Sequence, residues 1–136
     1  MNKPIVTDTE FLSKPSREAT KDDAQVIADL RDTLAAHHDD CVGLAANMIG
    51  SSVRIIIVST EKGPVVMVNP KITKHTGVYL TREGCLSLAE PHRATRFENI
   101  TVTWQDADFK RHMRGFSGYT AEIIQHEMDH LEGILV

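Results

Sequence analysis

The segment QHEMDHL, residues 125–131, is expected to decide the fold and the chemistry, because its two histidines are four positions apart. Residues at this spacing lie one turn apart on the same face of an α-helix, so His126 and His130 can both reach one metal ion. Glu127 lies about 100° around the helix from His126, close enough to meet a water molecule activated by the metal. A glutamate in this position can accept the proton of the water and pass it to a leaving group. The pattern therefore predicts a hydrolytic metal site, and two histidines on a solvated helix face are the alternative.

The helix that carries this pattern is expected to span residues 119–131. Gly133 follows the pattern and predicts the end of the helix, and the segment 115–118, with a glycine at each end, predicts a loop before it. One face of the helix collects residues at spacings of four, three and four, namely Tyr119, Ile123, His126 and His130.

The rest of the chain predicts a second helix and several short strands. Residues 21–36 place apolar side chains on one stripe at helical spacing, and Thr20 is a suitable N-cap. Residues 1–19 contain two prolines and predict an irregular arm. Runs rich in β-branched residues predict strands at 54–58, 65–68 (ended by Asn69-Pro70), 77–81 and 100–104. We expect an α+β fold in which antiparallel strands pack around a central helix carrying the HExxH motif.

Composition predicts one domain, residues 1–136, because 41% of the residues are apolar and can form a single core. The formal net charge is −4 and no run of Lys or Arg stands out, so we expect no direct nucleic-acid binding. No signal peptide is visible, and no apolar run approaches the roughly 18 residues that span a membrane. We therefore expect a cytoplasmic protein with no membrane partner.

A hydrolytic site of this kind needs three protein ligands and one open position. The segment EGCLSL, residues 83–88, offers Cys85, whose thiolate suits zinc or ferrous iron. A buried structural cysteine is the alternative interpretation.

Three segments, in this order, resemble the three motifs of the peptide deformylase family: GLAA at 43–46, EGCLS at 83–87 and QHEMDHL at 125–131. The second and third are hard to match with another hydrolase, and the likeness extends weakly from the first predicted helix to Leu135. Since the chain ends five residues after Leu131, we expect a short form of the family. The family removes the formyl group from the N-terminal formylmethionine of new polypeptides. The resemblance therefore implies N-formylmethionyl peptides as substrates, as nascent chains at the ribosome.

The resemblance also implies roles for individual residues. One divalent ion would be held by Cys85, His126 and His130, with ferrous iron expected in the cell and zinc or nickel as substitutes. Glu127 matches the general acid/base, and the backbone N–H of Leu86 matches a donor to the oxyanion that forms on the formyl oxygen. The positions that match the family's substrate contacts are Val42, Gly43 and Gly84. Tyr119 and Ile123, on the face of His126, line either a pocket for the methionine side chain or ordinary core.

The first motif departs from the family pattern G-x-G-L-A-A-x-Q at two positions. Met48 replaces the glutamine whose amide is the second oxyanion donor, and a thioether cannot donate a hydrogen bond. Losing one such donor can cost roughly 2.7–4 kcal/mol of transition-state stabilisation. Asn47 could replace the hydrogen-bond donor that is lost at Met48 only if its side-chain amide turns toward the site. Cys41 replaces the first glycine and is either an oxidation-sensitive second thiol or a small buried side chain.

These departures leave two main hypotheses for the function. The first is a working deformylase, and the second is a binding or vestigial module that keeps the fold and the metal but has weak or no activity. A generic peptidase is a third possibility, against which EGCLS argues. Two local questions are also open: whether Arg93 or Arg96 pairs with Glu83, and whether the HHDD segment at 37–40 binds a second metal or is plain surface.

Overall fold

A computed structural model describes residues 1–136. Its centre is a five-stranded sheet of order β1-β2-β3-β4-β5 in which all neighbouring strands are antiparallel. The strands are β1 (Gly43–Ala45), β2 (Ile55–Thr60), β3 (Gly63–Glu83), β4 (His92–Gln105) and β5 (Arg111–Ser117). The helices are α1 (Thr9–Leu12), α2 (Ala24–Ala36) and α3 (Gly118–Leu131), with short 3₁₀ turns at Lys21–Asp23 and Ala46–Ile49. The predicted α+β architecture, with antiparallel strands around the helix that carries the HExxH motif, is confirmed.

Both long helices end where the sequence predicts, but α2 begins at Ala24, after a 3₁₀ turn at Lys21–Asp23, and α3 begins at Gly118. The Thr20 side chain caps the turn that leads into α2, in a reciprocal capping box with Asp23. Helix α3 ends in a Schellman arrangement, in which the N–H groups of Gly133 and Ile134 donate to the carbonyls of His130 and Asp129. Gly133 has a φ of 77°, and a Cβ there would lie 2.3 Å from the Ser13 carbonyl oxygen. The end of α3 is thus packed tightly against the N-terminal arm.

The core forms where helices α2 and α3 pack against β2. Ile55, Ile56, Ile57 and Val58 of β2 are all inaccessible to solvent. On α2, Ile27, Leu30 and Leu34 form the predicted buried stripe. In β4, Ile100, Val102 and Trp104 are buried while Thr101 and Thr103 are partly exposed, which confirms the predicted alternation. None of the helices combines the length and apolar character that a membrane-spanning helix needs.

The strand predictions in the middle of the chain were wrong in their boundaries. The segments 65–68 and 77–81 belong to one 21-residue strand, β3, and Asn69-Pro70 does not end it. Asn69 adopts a φ of 50°, and the register shifts between Val68 and Lys71, so these two residues form a bulge. A bulge leaves residues outside the hydrogen-bond ladder, and it therefore tolerates a proline.

Three further segments also differ from the prediction. Residues 115–117 are the end of β5 rather than a loop. No residue of this strand is buried, so its sequence lacks the alternation of apolar and polar residues that predicts a strand. The N-terminal arm contains the short helix α1, which Asp8 caps and in which Leu12 is buried. Gly43–Ala45, in the first motif, forms the edge strand β1, which was too short to predict from its pattern.

Candidate active site

Helix α3 and the turn after β3 bring together three side chains that could hold a metal ion. One ligand atom each from Cys85, His126 and His130 lies within 4.8 Å of the other two. The Nε2 atoms of the histidines are 3.1 Å apart, and the Cys85 Sγ is 3.4 Å from the Nε2 of His130. This is the ligand set that the sequence predicts, and it is the one group of three such side chains that the structure gathers.

The electrostatic surroundings of this cluster suit a positive charge. Burial lowers the pKa of His130 to about 3, so its ring is neutral and a nitrogen lone pair is available. Burial also acts to lower the pKa of His126, but hydrogen bonds to Cys85 and Glu83 outweigh it and raise the pKa to about 10. The groups around His126 thus favour a positive charge at this position, which is either a proton on the ring or, in place of that proton, a metal ion. Two imidazoles and a thiol are donors that zinc and ferrous iron accept, so the residues present fit such an ion.

A buried ionic network orients His126. Its Nδ1–H donates to Glu83 Oε1 at 2.7 Å, which leaves the Nε2 free to face the cluster. Arg96 donates to both oxygens of Glu83, at 2.6 and 2.9 Å, and also to Asp129 at 2.6 Å. Burial would raise the pKa of Glu83, but the hydrogen bonds from His126 and Arg96 lower it to about 2, so it stays ionised. Arg96, and not Arg93, is therefore the partner of Glu83.

Glu127 has the environment of a proton-transfer group. It is buried, its Oε1 has no hydrogen-bond partner, and burial raises its pKa to about 7. A carboxyl group with this pKa can both accept and release a proton near neutral pH. Gly43 makes room for it: a Cβ at Gly43 would lie 3.0 Å from Glu127 Oε2 and 2.8 Å from Ile123 Cγ2. Strand β1 can approach α3 this closely only because the residue is glycine.

A cleft of about 220 Å³ opens over this cluster. Nine of the ten site residues predicted from the sequence line it, and the tenth, His130, is fully buried. Glu122 also lines the cleft; it lies four positions before His126 on the same helix face, and this spacing could have identified it. The cleft residues are Cys41, Val42, Gly43, Met48, Arg82, Glu83, Gly84, Cys85, Leu86, Tyr119, Glu122, Ile123, His126 and Glu127.

The residues that depart from the family motif have defined contacts. Met48 lines the cleft, and its Sδ accepts a hydrogen bond from the Ala45 N–H at 3.4 Å. Asn47 is absent from the cleft lining, because its Nδ2 donates to the His130 carbonyl at 2.8 Å. The Asn47 amide is therefore not turned toward the site. Cys41 donates to the Gly43 carbonyl at 3.0 Å, and burial raises the pKa of its thiol to about 11. These properties favour a small buried side chain at Cys41.

The HHDD segment at 37–40 forms two local pairs. His38 lies 3.0 Å from Asp39, and His37 lies 3.7 Å from Asp40. No third ligating side chain approaches either pair, which favours the surface interpretation of this segment.

Three converging donors and a buried carboxyl group beside an open cleft define a class of protein, the metal-dependent hydrolases. The sequence profile described as polypeptide deformylase matches residues 2–136. The chain belongs to the peptide deformylase family.

Individual relatives and solved structures also place the chain in the peptide deformylase family. A peptide deformylase of Clostridium beijerinckii is 51% identical over 136 residues, which cover the whole of both chains. The crystal structure of peptide deformylase from Thermotoga maritima superposes with a TM-score of 0.88 at 30% identity, covering 99% of this chain and 95% of that one. A class I type b peptide deformylase from Acinetobacter baumannii, with Met-Ala-Ser bound, gives 0.88 at 28% identity, covering 99% and 97%. The chain is therefore a peptide deformylase enzyme that acts on N-formylated peptides, and the comparisons do not support the vestigial alternative.

Proposed function

We propose that residues 1–136 form one catalytic domain that removes the formyl group from the N-terminal formylmethionine of nascent polypeptides in the cytoplasm. The observation that carries this proposal is the convergence of Cys85, His126 and His130 within 4.8 Å, beside the buried carboxyl group of Glu127. We propose ferrous iron as the ion in the cell, with zinc or nickel as substitutes. The mixed set of one sulfur and two nitrogen donors supports ions of this group over Mg²⁺ or Ca²⁺.

In this mechanism Cys85, His126 and His130 hold the ion, and Glu83 keeps the His126 ring in the orientation that presents its Nε2. A bound divalent ion would act as a Lewis acid toward the formyl oxygen and make a water molecule easier to deprotonate. Glu127 accepts the proton of the attacking water and delivers it to the nitrogen of the departing peptide. Its raised pKa, about 7, supports both halves of this transfer.

The oxyanion that develops on the formyl oxygen needs hydrogen-bond donors. The backbone N–H of Leu86 is proposed as one, because it lies beside Cys85 in the cleft lining and no backbone hydrogen bond of a strand or turn uses it. The side chain of Met48 cannot be another, since its sulfur only accepts. This chain therefore stabilises the transition state with one side-chain donor fewer than the family pattern provides.

The substrate peptide is proposed to bind along strand β1. This strand pairs with β2 on one side only, so its other edge is free for a peptide that adds as a further strand. Val42, Gly43 and Gly84 line the cleft along this path, and Tyr119 and Ile123 are proposed to receive the methionine side chain. The Acinetobacter baumannii structure, solved with Met-Ala-Ser bound, supports a cleft that accepts a peptide beginning with methionine.

Two substitutions test the proposed roles separately. Cys85→Ala should lose the metal, whereas Cys41→Ala, which removes the other thiol of the cleft, should keep it. Glu127→Gln should keep both the fold and the metal but lose almost all formate release, because glutamine preserves the shape and cannot accept the proton. Elemental analysis and a formate assay on anaerobically purified proteins measure these outcomes. A fully loaded Cys85→Ala protein, or a Glu127→Gln protein with wild-type turnover, would show that the roles are wrong.

A further inference from the structure

Two arginines lie side by side where strand β3 reaches the catalytic cleft. Arg82, the last residue of β3 before Glu83, is paired across the strands with Arg93 of β4. Both side chains are exposed to solvent. Like charges directly opposite each other destabilise an antiparallel pair, so an anionic group bound beside these arginines would relieve a repulsion that the free protein carries.

No carboxylate of the chain forms an ion pair with either arginine. Glu83 is the nearest acid in the sequence, but it is buried and bonded to another arginine on the opposite face of β3. Glu122 also lines the cleft, and its carboxylate accepts a hydrogen bond from the Tyr79 hydroxyl at 3.4 Å. The arginines that form ion pairs with acidic side chains are Arg17, Arg54 and Arg96. The guanidinium groups of Arg82 and Arg93 are therefore available to a ligand.

The arginine pair connects the cleft with a second groove. Arg82 lines the catalytic cleft, and it also lines a groove of about 420 Å³ along β3 and β4. Arg93 lies in the same groove, together with Leu80, whose side chain is 82% exposed. A peptide that leaves the cleft on this side meets two cations and one apolar side chain.

The end of β3 also offers a free edge to such a peptide. Pairing of β3 with β2 stops at Val68, whereas pairing with β4 continues to Glu83, so residues 71–83 are paired on one edge only. Residues 41–43 and residues 82–84 both line the cleft. An extended peptide that adds to β1 therefore also passes the end of β3 and the Arg82 side chain.

Alternation of side chains along an extended peptide decides which of them meets Arg82. Glu83 bonds His126 of α3, so the preceding residue, Arg82, points to the face of β3 that is turned away from α3. The methionine side chain is proposed to lie against α3. By alternation, the side chain of the second peptide residue points away from α3, and that of the third points toward it again. The second residue thus shares a face with Arg82, and cross-strand neighbours on one face interact even along the diagonal when the side chains are long.

We propose that Arg82 and Arg93 make the enzyme select formyl peptides with an acidic side chain at the second residue. This inference rests on the proposed function, because it takes the peptide path along β1 from it. A carboxylate at the second residue accepts hydrogen bonds from the planar guanidinium group of Arg82, and Arg93 adds a second positive charge. Exposed ion pairs contribute modestly, so the preference over a neutral residue should be about three- to tenfold. The contact is remote from the formyl carbon, so the preference should appear in KM, with kcat unchanged.

Paired peptides that differ only in charge test this preference. Formyl-Met-Glu-Ser-Ala-amide and formyl-Met-Gln-Ser-Ala-amide have side chains of similar shape, and the amide removes a terminal carboxylate that could bind the same arginines. The ratio of their kcat/KM values, glutamate over glutamine, should be about three to ten at about 50 mM salt. It should fall toward one at about 1 M salt, where the Debye length is about 3 Å. Formyl-Met-Ala-Glu-Ala-amide should have no advantage over formyl-Met-Ala-Gln-Ala-amide, because its third side chain points toward α3.

Charge changes in the protein test the same contact from the other side. The variant Arg82→Gln, Arg93→Gln should lose the preference for glutamate at the second residue. The variant Arg82→Glu, Arg93→Glu should reverse it and favour formyl-Met-Lys-Ser-Ala-amide. Lys74→Gln is the matched control, since it removes an exposed cation of the same strand about 26 Å from Arg82 and outside both the cleft and its groove. This control should keep the wild-type ratio.

Three results would overturn the inference: equal kcat/KM for the first two peptides in wild type at low salt, an unchanged preference in Arg82→Gln, Arg93→Gln, or an equal preference for glutamate at the second and third residues. Failure of the proposed function gives a different result, namely no formate from any of the peptides. In that case the affinities of Met-Glu-Ser-Ala-amide and Met-Gln-Ser-Ala-amide, measured by calorimetry, still decide the role of the arginines. Tighter binding of the glutamate peptide supports it, and equal binding contradicts it.

Discussion

Replacing Gly43 with alanine should lower the kcat of the enzyme while leaving its metal content unchanged. The added Cβ would lie 2.8 Å from Ile123 Cγ2, 3.0 Å from Glu127 Oε2 and 3.2 Å from Glu127 Cγ. Carbon atoms in contact prefer about 3.5–4.0 Å, so both side chains of α3 or the β1 backbone must move by several tenths of an ångström. One of the side chains that must move is Glu127, the proposed proton-transfer group.

The expected magnitudes follow from this geometry. Overpacking a buried site by one methyl group should lower the free energy of unfolding by about 1–3 kcal/mol. Displacing Glu127 by a fraction of an ångström to 1 Å should lower kcat by on the order of 10- to 100-fold. The metal content should not change, because neither Ile123 nor Glu127 belongs to the ligand set.

The assay compares kcat for formate release, metal content and urea denaturation of three proteins. Gly115→Ala is the matched control, since a Cβ there would meet only the Ile100 carbonyl oxygen at 3.9 Å. It should change both kcat and stability little. A Gly43→Ala enzyme with wild-type kcat would refute the argument that close approach of β1 positions Glu127.

Three other substitutions, one of them with a matched control, test the oxyanion donor and the buried ionic network. Met48→Gln should raise kcat, by up to on the order of 100-fold if its amide reaches the oxyanion, because it adds a donor that acts mainly in the transition state. Asn47→Ala should lower stability without changing kcat, since its amide bonds the His130 carbonyl; a slower enzyme would show that Asn47 supplies the donor. Arg96→Met should lower the free energy of unfolding by about 3–5 kcal/mol, because it removes the ion pair of the buried Glu83 carboxylate and leaves it only the hydrogen bond from His126. The control Arg54→Met, whose partner Glu132 is more than half exposed, should cost less than about 1 kcal/mol in the same urea titration, and equal losses would contradict the assigned difference.

The cluster of proposed metal ligands could be predicted from the sequence because its geometry depends on residue spacing within one helix and on a short motif. The spacing of His126 and His130 fixes their common helix face whatever the rest of the fold does. From its own residue type Cys85 is either a ligand or a packed thiol, since a single cysteine carries no spacing pattern, and only the family resemblance implies a ligand. The structure brings its sulfur to the histidines.

Other features depend on contacts between distant segments. Asn69-Pro70 indicates the end of a strand, but pairing with β4 continues beyond it through a bulge. The sequence could not choose between Arg93 and Arg96, because only the pairing of β4 with β3 decides which faces the core.

The central claim is that one metal ion, held by Cys85, His126 and His130, supports deformylation in this chain. The most direct test is the rate of formate release from formyl-Met-Ala-Ser, measured against the metal bound by anaerobically purified protein. The rate should rise in proportion to bound metal up to one ion per chain, fall to zero on chelation and return when ferrous iron is added. Metal-free protein that releases formate at the full rate, or fully loaded protein that releases none, would contradict it.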